Sequence, residues 1–346
     1  MSSMLFPGLV TYGWNTEFET SFADYRETGV VPARVVRVDR GRCAVVTEHG
    51  PLIAADSRLS PCTGDWVAVR TDSGDPVLTT VLPRRTAIVR SSSSRRSDEQ
   101  VLAANVDIVA VVVSLATPIV LNRIERLLAL AWESGARPVV VLSKADQVPD
   151  PGTVLAEVAA AAPGAEVLAV SAIEEAGVEA LAAVLSGTVV LLGPSGAGKS
   201  TLGNALLGSD RLAVGAVRDQ DGKGRHTTVH RELVPLPHGG VLIDTPGLRG
   251  VGLWDSEDGV ALTFPEIEEL AGECRFGDCA HETEPGCAVL AAVESGALPA
   301  RRLASYRRLL RENEWVTSRT DARLRAERRG RWKVITKQMR RGYQDR

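Results

Sequence analysis

Apolar strands alternate with helical segments from Val106 to Leu192, and this alternation constrains the fold more than any other feature. The segments VDIVAVVVS, PVVVLSKAD, AEVLAVSA and TVVLLG are nearly continuous apolar runs, and a helical segment follows each of the first three. One face of the first helix is formed by Leu121, Ile124, Leu128 and Ala131. Apolar strands separated by helices predict a parallel sheet covered by helices on both faces. Further along, RELVPLP and GGVLIDTPG predict two more strands.

The rest of the 346-residue chain predicts flanking domains. Residues 1–29 show no sustained periodicity, and we expect an extension that lies over a neighbouring domain. Residues 30–83 are short apolar runs broken by Gly, Asp and Pro, which is typical of an OB-fold β-barrel. The α/β domain then occupies residues 84–256, with a loop or linker in the polar stretch RSSSSRRSDEQ. A helical domain with a basic tail is expected over residues 257–346.

Charge separates the C-terminal segment from the remainder. The net charge is -3, yet residues 299–346 hold 16 Lys and Arg against 5 Asp and Glu. Such a segment could neutralise RNA phosphates, or it could be a solvated helix face with paired charges. The barrel offers Trp66 alone for base stacking, so it could serve nucleic acid or docking. The longest apolar run, near Val109 to Leu115, is too short to span a bilayer, and a cytoplasmic protein is expected.

The segment GPSGAGKS fits a phosphate-binding loop, G-x-x-x-x-G-K-[ST], because it follows a strand and precedes a helix. Glycines allow successive backbone N–H groups to face an anion, Lys199 would reach the β- and γ-phosphates, and Ser200 would ligate Mg²⁺. The motif predicts a bound nucleotide without choosing between ATP and GTP. The contacting residues are expected to be Gly193, Pro194, Ser195, Gly196, Ala197, Gly198, Lys199, Ser200 and Thr201.

Two further segments predict sensors of the γ-phosphate. DTPG closes an apolar strand, where Asp244 would hold Mg²⁺ through water and the Gly247 N–H could sense the phosphate. GRHTT lies between the phosphate loop and DTPG, and Thr228 could complete the Mg²⁺ shell, with Thr227 beside the nucleotide. The alternatives are an Asp-initiated turn for DTPG and a plain polar loop for GRHTT.

SKAD indicates that the base is guanine. Asp146 could accept from the N1–H and N2–H₂ donors of guanine, which adenine lacks, and Lys144 would lay its stem along the base. Ser143 stands where Asn is usual, and its shorter side chain can form fewer hydrogen bonds to brace the phosphate loop. VSA, with Ser171 and Ala172, ends the next strand, where a backbone N–H could meet guanine O6.

A third cluster predicts a metal. CRFGDCAHETEPGC places four soft ligands within 14 residues, at a spacing of C-x₄-C-x-H-x₅-C. Three thiols and an imidazole suit tetrahedral Zn²⁺, and the absence of a nearby acid in a catalytic role favours a structural site. Buried thiols beside an unrelated His are the alternative. The proposed ligands are Cys274, Cys279, His281 and Cys287.

These motifs form a full GTPase set in rotated order, because the base reader precedes the phosphate loop. Joining the ends of such a sheet and cutting it just after DTPG would preserve the fold and connect the γ-phosphate sensor directly to the metal-binding domain. The arrangement, over about residues 30–315, closely resembles the circularly permuted, small-ribosomal-subunit-dependent GTPase family RsgA. The resemblance implies GTP hydrolysis to GDP in late maturation of that subunit, stimulated by the subunit, and release of the protein afterwards. We expect a monomer that binds the subunit and its rRNA, and no membrane.

The motifs leave two points undecided: which residue positions the attacking water, and which class of nucleotide-binding protein this is. Leu248 follows DTPG where many GTPases place a Gln that orients water, so His226 in GRHTT becomes the candidate water-positioning residue. Together with Lys199 and Thr228 from the earlier motifs, His226 completes the set of expected catalytic residues. The alternatives to a GTPase are a P-loop ATPase or nucleotide kinase, and an RNA-binding assembly factor in which the nucleotide is only a structural ligand.

Overall fold

The computed structural model describes residues 6–72, 74–90, 100–212, 231–244 and 257–320. The chain forms two compact units, Met1–Val89 with Val101–Gly250, and Arg90–Gln100 with Val251–Arg346. The barrel and the α/β sheet both lie in the first unit, and the cysteine-rich helical segment lies in the second. Within the described residues, no helix is long and apolar enough to cross a membrane.

Five strands form a closed barrel, in agreement with the predicted OB-fold. They are β1 (Val30–Asp39), β2 (Arg42–Thr47), β3 (Gly50–Ala55), β4 (Trp66–Arg70) and β5 (Val77–Val81), in the order β1-β2-β3-β5-β4. A parallel contact between β3 and β5 completes the closure. The interior is filled by alternate side chains of these strands, Ala33, Val35, Cys43, Val45, Ala54, Val67, Val69 and Leu78.

The N-terminal extension packs on the outside of this barrel through aromatic side chains. It comprises a 3-10 helix (Pro7–Tyr12), α1 (Thr16–Ser21) and a second 3-10 helix (Ala23–Tyr25). The Trp14 and Phe18 rings lie 4.8 and 5.5 Å from the Trp66 ring. Trp66 is 0% exposed, so the one barrel aromatic considered for base stacking is instead part of this apolar core.

Arg34 on β1 fastens the barrel to the sheet. Its side chain is 0% exposed and its guanidinium lies 4.8 Å from the Trp66 ring centroid. Nη1 donates to the Tyr12 carbonyl at 3.2 Å, and Nη2 donates to Thr188 Oγ1 at 3.1 Å and to the Asn105 carbonyl at 3.4 Å. One buried cation therefore joins the extension, the barrel and the start of the strand that leads to the phosphate loop.

A six-stranded sheet is the second main part of the first unit. Its strands are β8 (Ile108–Ser114), β9 (Arg137–Ser143), β10 (Glu166–Val170), β11 (Thr188–Leu192), β12 (Glu232–Pro235) and β13 (Val241–Asp244), in the order β10-β9-β8-β11-β13-β12. A small two-stranded sheet, β6 (Ala87–Arg90) with β7 (Gln100–Ala104), precedes it. The linker residues between β6 and β7 lie outside the described part of the chain.

Four helices cover the sheet, α2 (Leu121–Glu133), α3 (Pro151–Ala161), α4 (Val178–Val184) and α5 (Lys199–Leu207). The predicted apolar face of α2 is confirmed, since Ile124, Leu128 and Ala131 are buried. The predicted parallel pairing is confirmed for β8, β9, β10, β11 and β13, and the strand β12, for which no direction was predicted, runs antiparallel to β13. The reason is the tight turn between them, closed by Leu236 N–H donating to the Gly240 carbonyl, because a parallel pair needs a much longer crossover.

The second unit is helical. It contains α6 (Glu257–Thr263), α7 (Pro265–Ala271), α8 (Ala288–Glu294) and α9 (Ala300–Thr320). Arg302 ties α9 to the first two helices: Nε donates to Glu266 at 2.7 Å, Nη2 donates to the Thr263 carbonyl at 3.0 Å, and the guanidinium lies 4.2 Å from the Phe264 ring. The unit thus has its own apolar and polar core.

Candidate nucleotide site and metal centre

The phosphate loop connects β11 to α5 in a backbone conformation that requires glycine. Gly193, Gly196 and Gly198 have φ of 151°, 79° and 82°. A Cβ on Gly193 would lie 2.2 Å from the Val112 carbonyl oxygen, so the loop passes directly over the neighbouring strand. Positive-φ glycines placed between residues of other conformation, ahead of a helix N-terminus, allow successive backbone N–H groups to turn towards a shared anion. The local geometry therefore fits a phosphate-binding loop.

Lys199 opens α5 and lies across this loop. Its Nζ donates to the Gly193 carbonyl at 2.9 Å and to the Pro194 carbonyl at 2.8 Å. Ser200 and Thr201 follow in the first turn of the helix, both half-buried. The ammonium is thereby held at the mouth of the loop, where the β- and γ-phosphates of a nucleotide would lie.

Asp244 ends β13, which pairs in parallel with the phosphate-loop strand β11. Burial and the nearby Glu232 charge raise the pKa of the Asp244 carboxyl, while the Lys199 charge lowers it. The carboxylate thus lies at the carboxyl edge of the sheet, within electrostatic range of Lys199. Mg²⁺ is commonly bound by one or two protein oxygens together with phosphates and water. Asp244 and the Ser200 hydroxyl fit this requirement.

The base-reading loop begins where β9 ends. Lys144 adopts a left-handed conformation with φ 57°, and the backbone then turns to present Asp146. Ser171 Oγ donates to Asp146 Oδ1 at 2.7 Å, and the Gln147 amide contacts Oδ2. These contacts, first that of Gln147 and then that of Ser171, lower the pKa of the Asp146 carboxyl. Asp146 is therefore an ionised acceptor, the form that can receive two donors from guanine.

Ser143 braces the phosphate loop despite its short side chain. Its Oγ donates to the Ala197 carbonyl at 2.6 Å, with the Val113 carbonyl as a second acceptor at 3.2 Å. A hydroxyl carries one proton, so only one of these bonds forms at a time, and the shorter distance favours Ala197. The reach is possible because β9 passes close to the loop: a Cβ on Gly198 would lie 3.8 Å from Ser143 Oγ.

The SA element closes the same side of the site. Ser171 N–H donates to the Ala176 carbonyl at 2.9 Å, and Ser171 Oγ accepts from Glu174 N–H at 3.2 Å, which fixes the loop after β10. Ala172 and Thr201 both line one cavity of about 640 Å³ between α4 and α5. The structure therefore brings the SA element, Asp146, Ser143 and the phosphate loop together, as the motifs predicted.

Asn204 lies beside this site, and no sequence motif predicted this position. The buried side chain makes two hydrogen bonds to one residue: Nδ2 donates to the Leu212 carbonyl at 3.0 Å, and Leu212 N–H donates to Oδ1 at 2.7 Å. Asn204 also lines the cavity shared by Ala172 and Thr201. An isolated Asn inside a helix has no sequence signal that would mark such a role.

Several predicted residues lie outside the described part of the chain. They are His226, Thr227, Thr228, Gly247 and Leu248.

The predicted metal ligands converge in the second unit. The donor atoms of Cys274, Cys279, His281 and Cys287 all lie within 4.8 Å of one another. Sγ of Cys274 is 3.8 Å from Sγ of Cys287, and His281 Nδ1 is 3.6 and 3.4 Å from these two sulfurs. A tetrahedron with Zn–S near 2.3 Å and Zn–N near 2.0–2.1 Å needs S···S edges of about 3.8 Å and S···N edges of about 3.6 Å. The three edges among Cys274, His281 and Cys287 therefore match a zinc tetrahedron, and Cys279 is within 4.8 Å of each of these ligands.

The loops around the cluster are fixed by backbone hydrogen bonds. Glu284 accepts from the N–H groups of Ala280, Glu282 and Thr283, and backbone donors, chiefly those of Glu284 itself and of Thr283, lower its pKa to about 2. Cys287 caps α8, with Sγ accepting from Leu290 N–H at 3.4 Å. The ligand geometry is thus supported by the polypeptide itself.

Comparison with known proteins decides the family. A model of the RsgA GTPase family matches residues 81–254. The Small ribosomal subunit biogenesis GTPase RsgA of Streptomyces avermitilis is 61% identical over 337 residues, covering 94% of this chain and 91% of that protein. The protein of the same name from Streptomyces coelicolor is 60% identical, over 94% of this chain and 92% of its own length. The chain belongs to the RsgA GTPase family.

Two solved structures have a similar fold. The crystal structure of YjeQ from Thermotoga maritima superposes with a TM-score of 0.63 at 26% identity, covering 82% of this chain and 98% of that one. The crystal structure of YloQ, a circularly permuted GTPase, gives a TM-score of 0.61 at 22% identity, over 86% of this chain and 97% of that one. The second likeness concerns the fold alone, and it confirms the rotated order predicted from the motifs.

Membership of the RsgA GTPase family has two direct consequences. The chain is a GTPase, and it binds GTP and GDP. The alternative of a P-loop ATPase, which the phosphate loop alone left open, is thereby set aside.

Proposed function

We propose that this chain hydrolyses GTP during maturation of the small ribosomal subunit, binds the subunit and its rRNA, and leaves after hydrolysis. The observation that carries the proposal is the 61% identity, over 94% of the chain, to a protein named for small ribosomal subunit biogenesis. Two observations support it: the glycine loop has the backbone conformation of a phosphate-binding loop, and the four cysteine and histidine donors lie within 4.8 Å of one another. We propose further that the protein acts in the cytoplasm, together with this partner, and that it acts as a monomer.

The nucleotide contacts follow from the loops. Lys199 neutralises the β- and γ-phosphates above the glycine loop, and Ser143 holds that loop through Ala197. Asp146 accepts from guanine, with Lys144 along the base and Ala172 at its O6 edge. The complete proposed set is Ser143, Lys144, Asp146, Ser171, Ala172, Gly193, Pro194, Ser195, Gly196, Ala197, Gly198, Lys199, Ser200, Thr201, Thr227, Asp244 and Gly247.

Two metals complete the proposal. Ser200 and Asp244 would hold Mg²⁺, with Thr228 as the ligand that depends on the γ-phosphate, and the ion would supply positive charge to stabilise the phosphates. One structural Zn²⁺ is held by the four cluster ligands, and it contributes to folding of the second unit rather than to chemistry. Its ligands are Cys274, Cys279, His281 and Cys287.

Water positioning is assigned to His226. Leu248 has no hydrogen-bonding group at the position that often carries Gln, so the isolated enzyme is expected to be slow. Docking on the subunit would order the groups that the isolated chain must order at each turnover. The His226 imidazole would then orient the attacking water.

The deciding experiment is GTP turnover with and without purified small subunits, for the wild type and for His226→Ala. We expect strong stimulation of the wild type by subunits. In the variant, stimulated kcat should fall by about 10- to 1000-fold with little change in GTP binding. Absence of stimulation in the wild type would contradict hydrolysis on the subunit, and absence of any turnover would favour the assembly-factor alternative, in which the nucleotide is a structural ligand. Full stimulated turnover in the variant would remove His226 from its role.

A further inference from the structure

Gln147 contacts the carboxylate that the base-reading loop presents. Its side-chain amide donates to Asp146 Oδ2, while Ser171 Oγ donates to Oδ1 of the same carboxylate at 2.7 Å. Each of the two carboxylate oxygens therefore has one donor from the protein. Gln147 lies outside the SKAD motif and outside the proposed set of nucleotide contacts.

The two donors are held in different ways. Ser171 is 1% exposed, and its Oγ also accepts from Glu174 N–H at 3.2 Å, so burial and a second hydrogen bond fix it. The Gln147 side chain is exposed, and its backbone is fixed by a 3-10 turn in which its N–H donates to the Lys144 carbonyl at 3.0 Å. Because the Gln147 side chain lies outside the core, it can be replaced with little effect on packing.

The acceptor capacity of Asp146 matches guanine when both donors are in place. An ionised carboxylate offers about four acceptor positions, two on each oxygen. Ser171 and Gln147 occupy one position on each oxygen, which leaves one free position on each. Guanine presents two donors along one edge, N1–H and the 2-amine. The number and the distribution of the remaining positions therefore correspond to the two donors of the base.

A single protein donor would not hold this carboxylate in one orientation. The last torsion of an Asp side chain is broad, so the Asp146 carboxylate can rotate when only one of its oxygens is held. Donors on both oxygens fix its plane. The contacts of Gln147 and then of Ser171 also lower the pKa of Asp146, the Lys144 charge acts in the same direction, and desolvation opposes them. The carboxylate is thus kept both ionised and oriented.

We propose that Gln147 is a positioning residue of the base site, which fixes the second oxygen of Asp146 so that the carboxylate meets N1–H and the 2-amine of guanine together. This inference rests on the proposed contact between Asp146 and guanine. A base with only one donor gains less from a fixed plane, because a freely rotating carboxylate can still turn to meet it. Gln147 therefore increases selectivity for guanine over hypoxanthine, which has N1–H and no 2-amine.

The test compares the binding of GDP and of inosine diphosphate (IDP) to the full-length protein by calorimetric titration. Gln147→Met keeps an unbranched side chain of similar length and removes the donor. We expect GDP affinity to fall by about 2- to 10-fold, the effect of losing one hydrogen bond, and IDP affinity to fall less. Unchanged GDP affinity would overturn the inference. An equal or larger fall for IDP would also overturn it, because general damage to the site weakens both nucleotides alike.

Two further variants isolate the role of the donor. Gln147→Lys restores a donor at this position, and it should regain the wild-type ratio of GDP affinity to IDP affinity. A ratio as low as that of Gln147→Met would overturn the inference, since the donor would then have no effect. Gln100→Met is the matched control, because Gln100 is also exposed, at the start of β7, and it should bind both nucleotides like the wild type.

The wild type itself tests the contact on which the inference rests. If it binds GDP and IDP equally, Asp146 does not read the 2-amine, and the proposed guanine contact fails together with the inference. If the wild type prefers GDP and Gln147→Met keeps that preference in full, the guanine contact stands and the inference alone is overturned.

Discussion

At the scale of single residues, the most informative contact is that between Ser143 and the phosphate loop. The sequence predicts that Ser143 braces the phosphate loop less strongly than Asn would. In the structure, β9 passes close enough to the loop for one short hydrogen bond from Ser143 Oγ to the Ala197 carbonyl. The distance between β9 and the phosphate loop makes this hydrogen bond possible. A sequence motif does not reveal the distance between two segments that are remote in sequence.

Ser143→Ala should weaken GTP and GDP binding equally, by about 2- to 10-fold, which corresponds to the net contribution of one neutral hydrogen bond. The equal effect is expected because the brace acts on the loop and not on the γ-phosphate. Binding of fluorescent GDP and GTP analogues measures it. Ser134→Ala is the control, since Ser134 is also buried and donates to a carbonyl at 2.6 Å, on α2. Equal loss in both variants would point to general destabilisation.

Asp244 shows a conflict between stability and function. Because burial raises its pKa, the folded protein binds a proton at Asp244 more readily than the unfolded chain does. Stability is therefore lost as the pH rises from the usual carboxyl pKa of 3.8 through the raised value. Asp244→Asn removes this loss, so the nucleotide-free variant should have a higher Tm than the wild type near pH 7, with the difference shrinking towards pH 4.

The same substitution should nearly abolish Mg²⁺-dependent GTP turnover, because the amide is a poor Mg²⁺ ligand. Thermal unfolding across this pH range and turnover at saturating Mg²⁺ are the two measurements. A variant with a lower Tm than the wild type at every pH would show that the carboxylate stabilises the fold, contrary to this account.

At the scale of elements, the N-terminal extension is held by aromatic packing. Helix α1 has only six residues, too few to be stable alone, and its Phe18 is buried against the Trp66 ring. Phe18→Ala should lower the free energy of unfolding by about 3–5 kcal/mol, as for other buried aromatic truncations. Urea unfolding followed by tryptophan fluorescence measures it. Thr20→Ala, on the exposed side of the same helix, should change stability little.

Elements with long local periodicity could be predicted from the sequence, and elements that depend on remote contacts could not. The face of α2 is visible because Ile124, Leu128 and Ala131 repeat at helical spacing. The N-terminal helices were not visible, because six residues give too short a pattern. Burial of Arg34 was also not predictable, since its partners Tyr12, Asn105 and Thr188 come from three different segments.

At the scale of the whole molecule, each compact unit has its own core, and the four proposed metal ligands belong to the second. Metal ligands there can be found from sequence spacing alone, because all four lie within one short segment.

Removal of zinc should therefore unfold the second unit and leave GTP affinity largely unchanged, since structural zinc contributes folding energy directly. Cys279→Ala should lower the zinc content of the purified protein and abolish binding to small subunits. Metal analysis, GTP titration and subunit co-sedimentation are the measurements, with Cys43→Ala as the control for loss of a buried thiol in the barrel. Unchanged metal content in Cys279→Ala would remove Cys279 from the ligand set.

The central claim is that a rotated site reads guanine through Asp146 and drives hydrolysis on the small subunit. The most direct test is subunit-stimulated turnover of GTP and XTP by the wild type and by Asp146→Asn. The amide NH₂ of the variant would face the 2-oxo group of xanthine where the carboxylate faced the guanine amine. We predict that the wild type hydrolyses GTP only, and that Asp146→Asn loses GTP turnover and gains subunit-stimulated XTP turnover. Loss of both nucleotides in a folded variant, or retention of GTP turnover, would contradict this account.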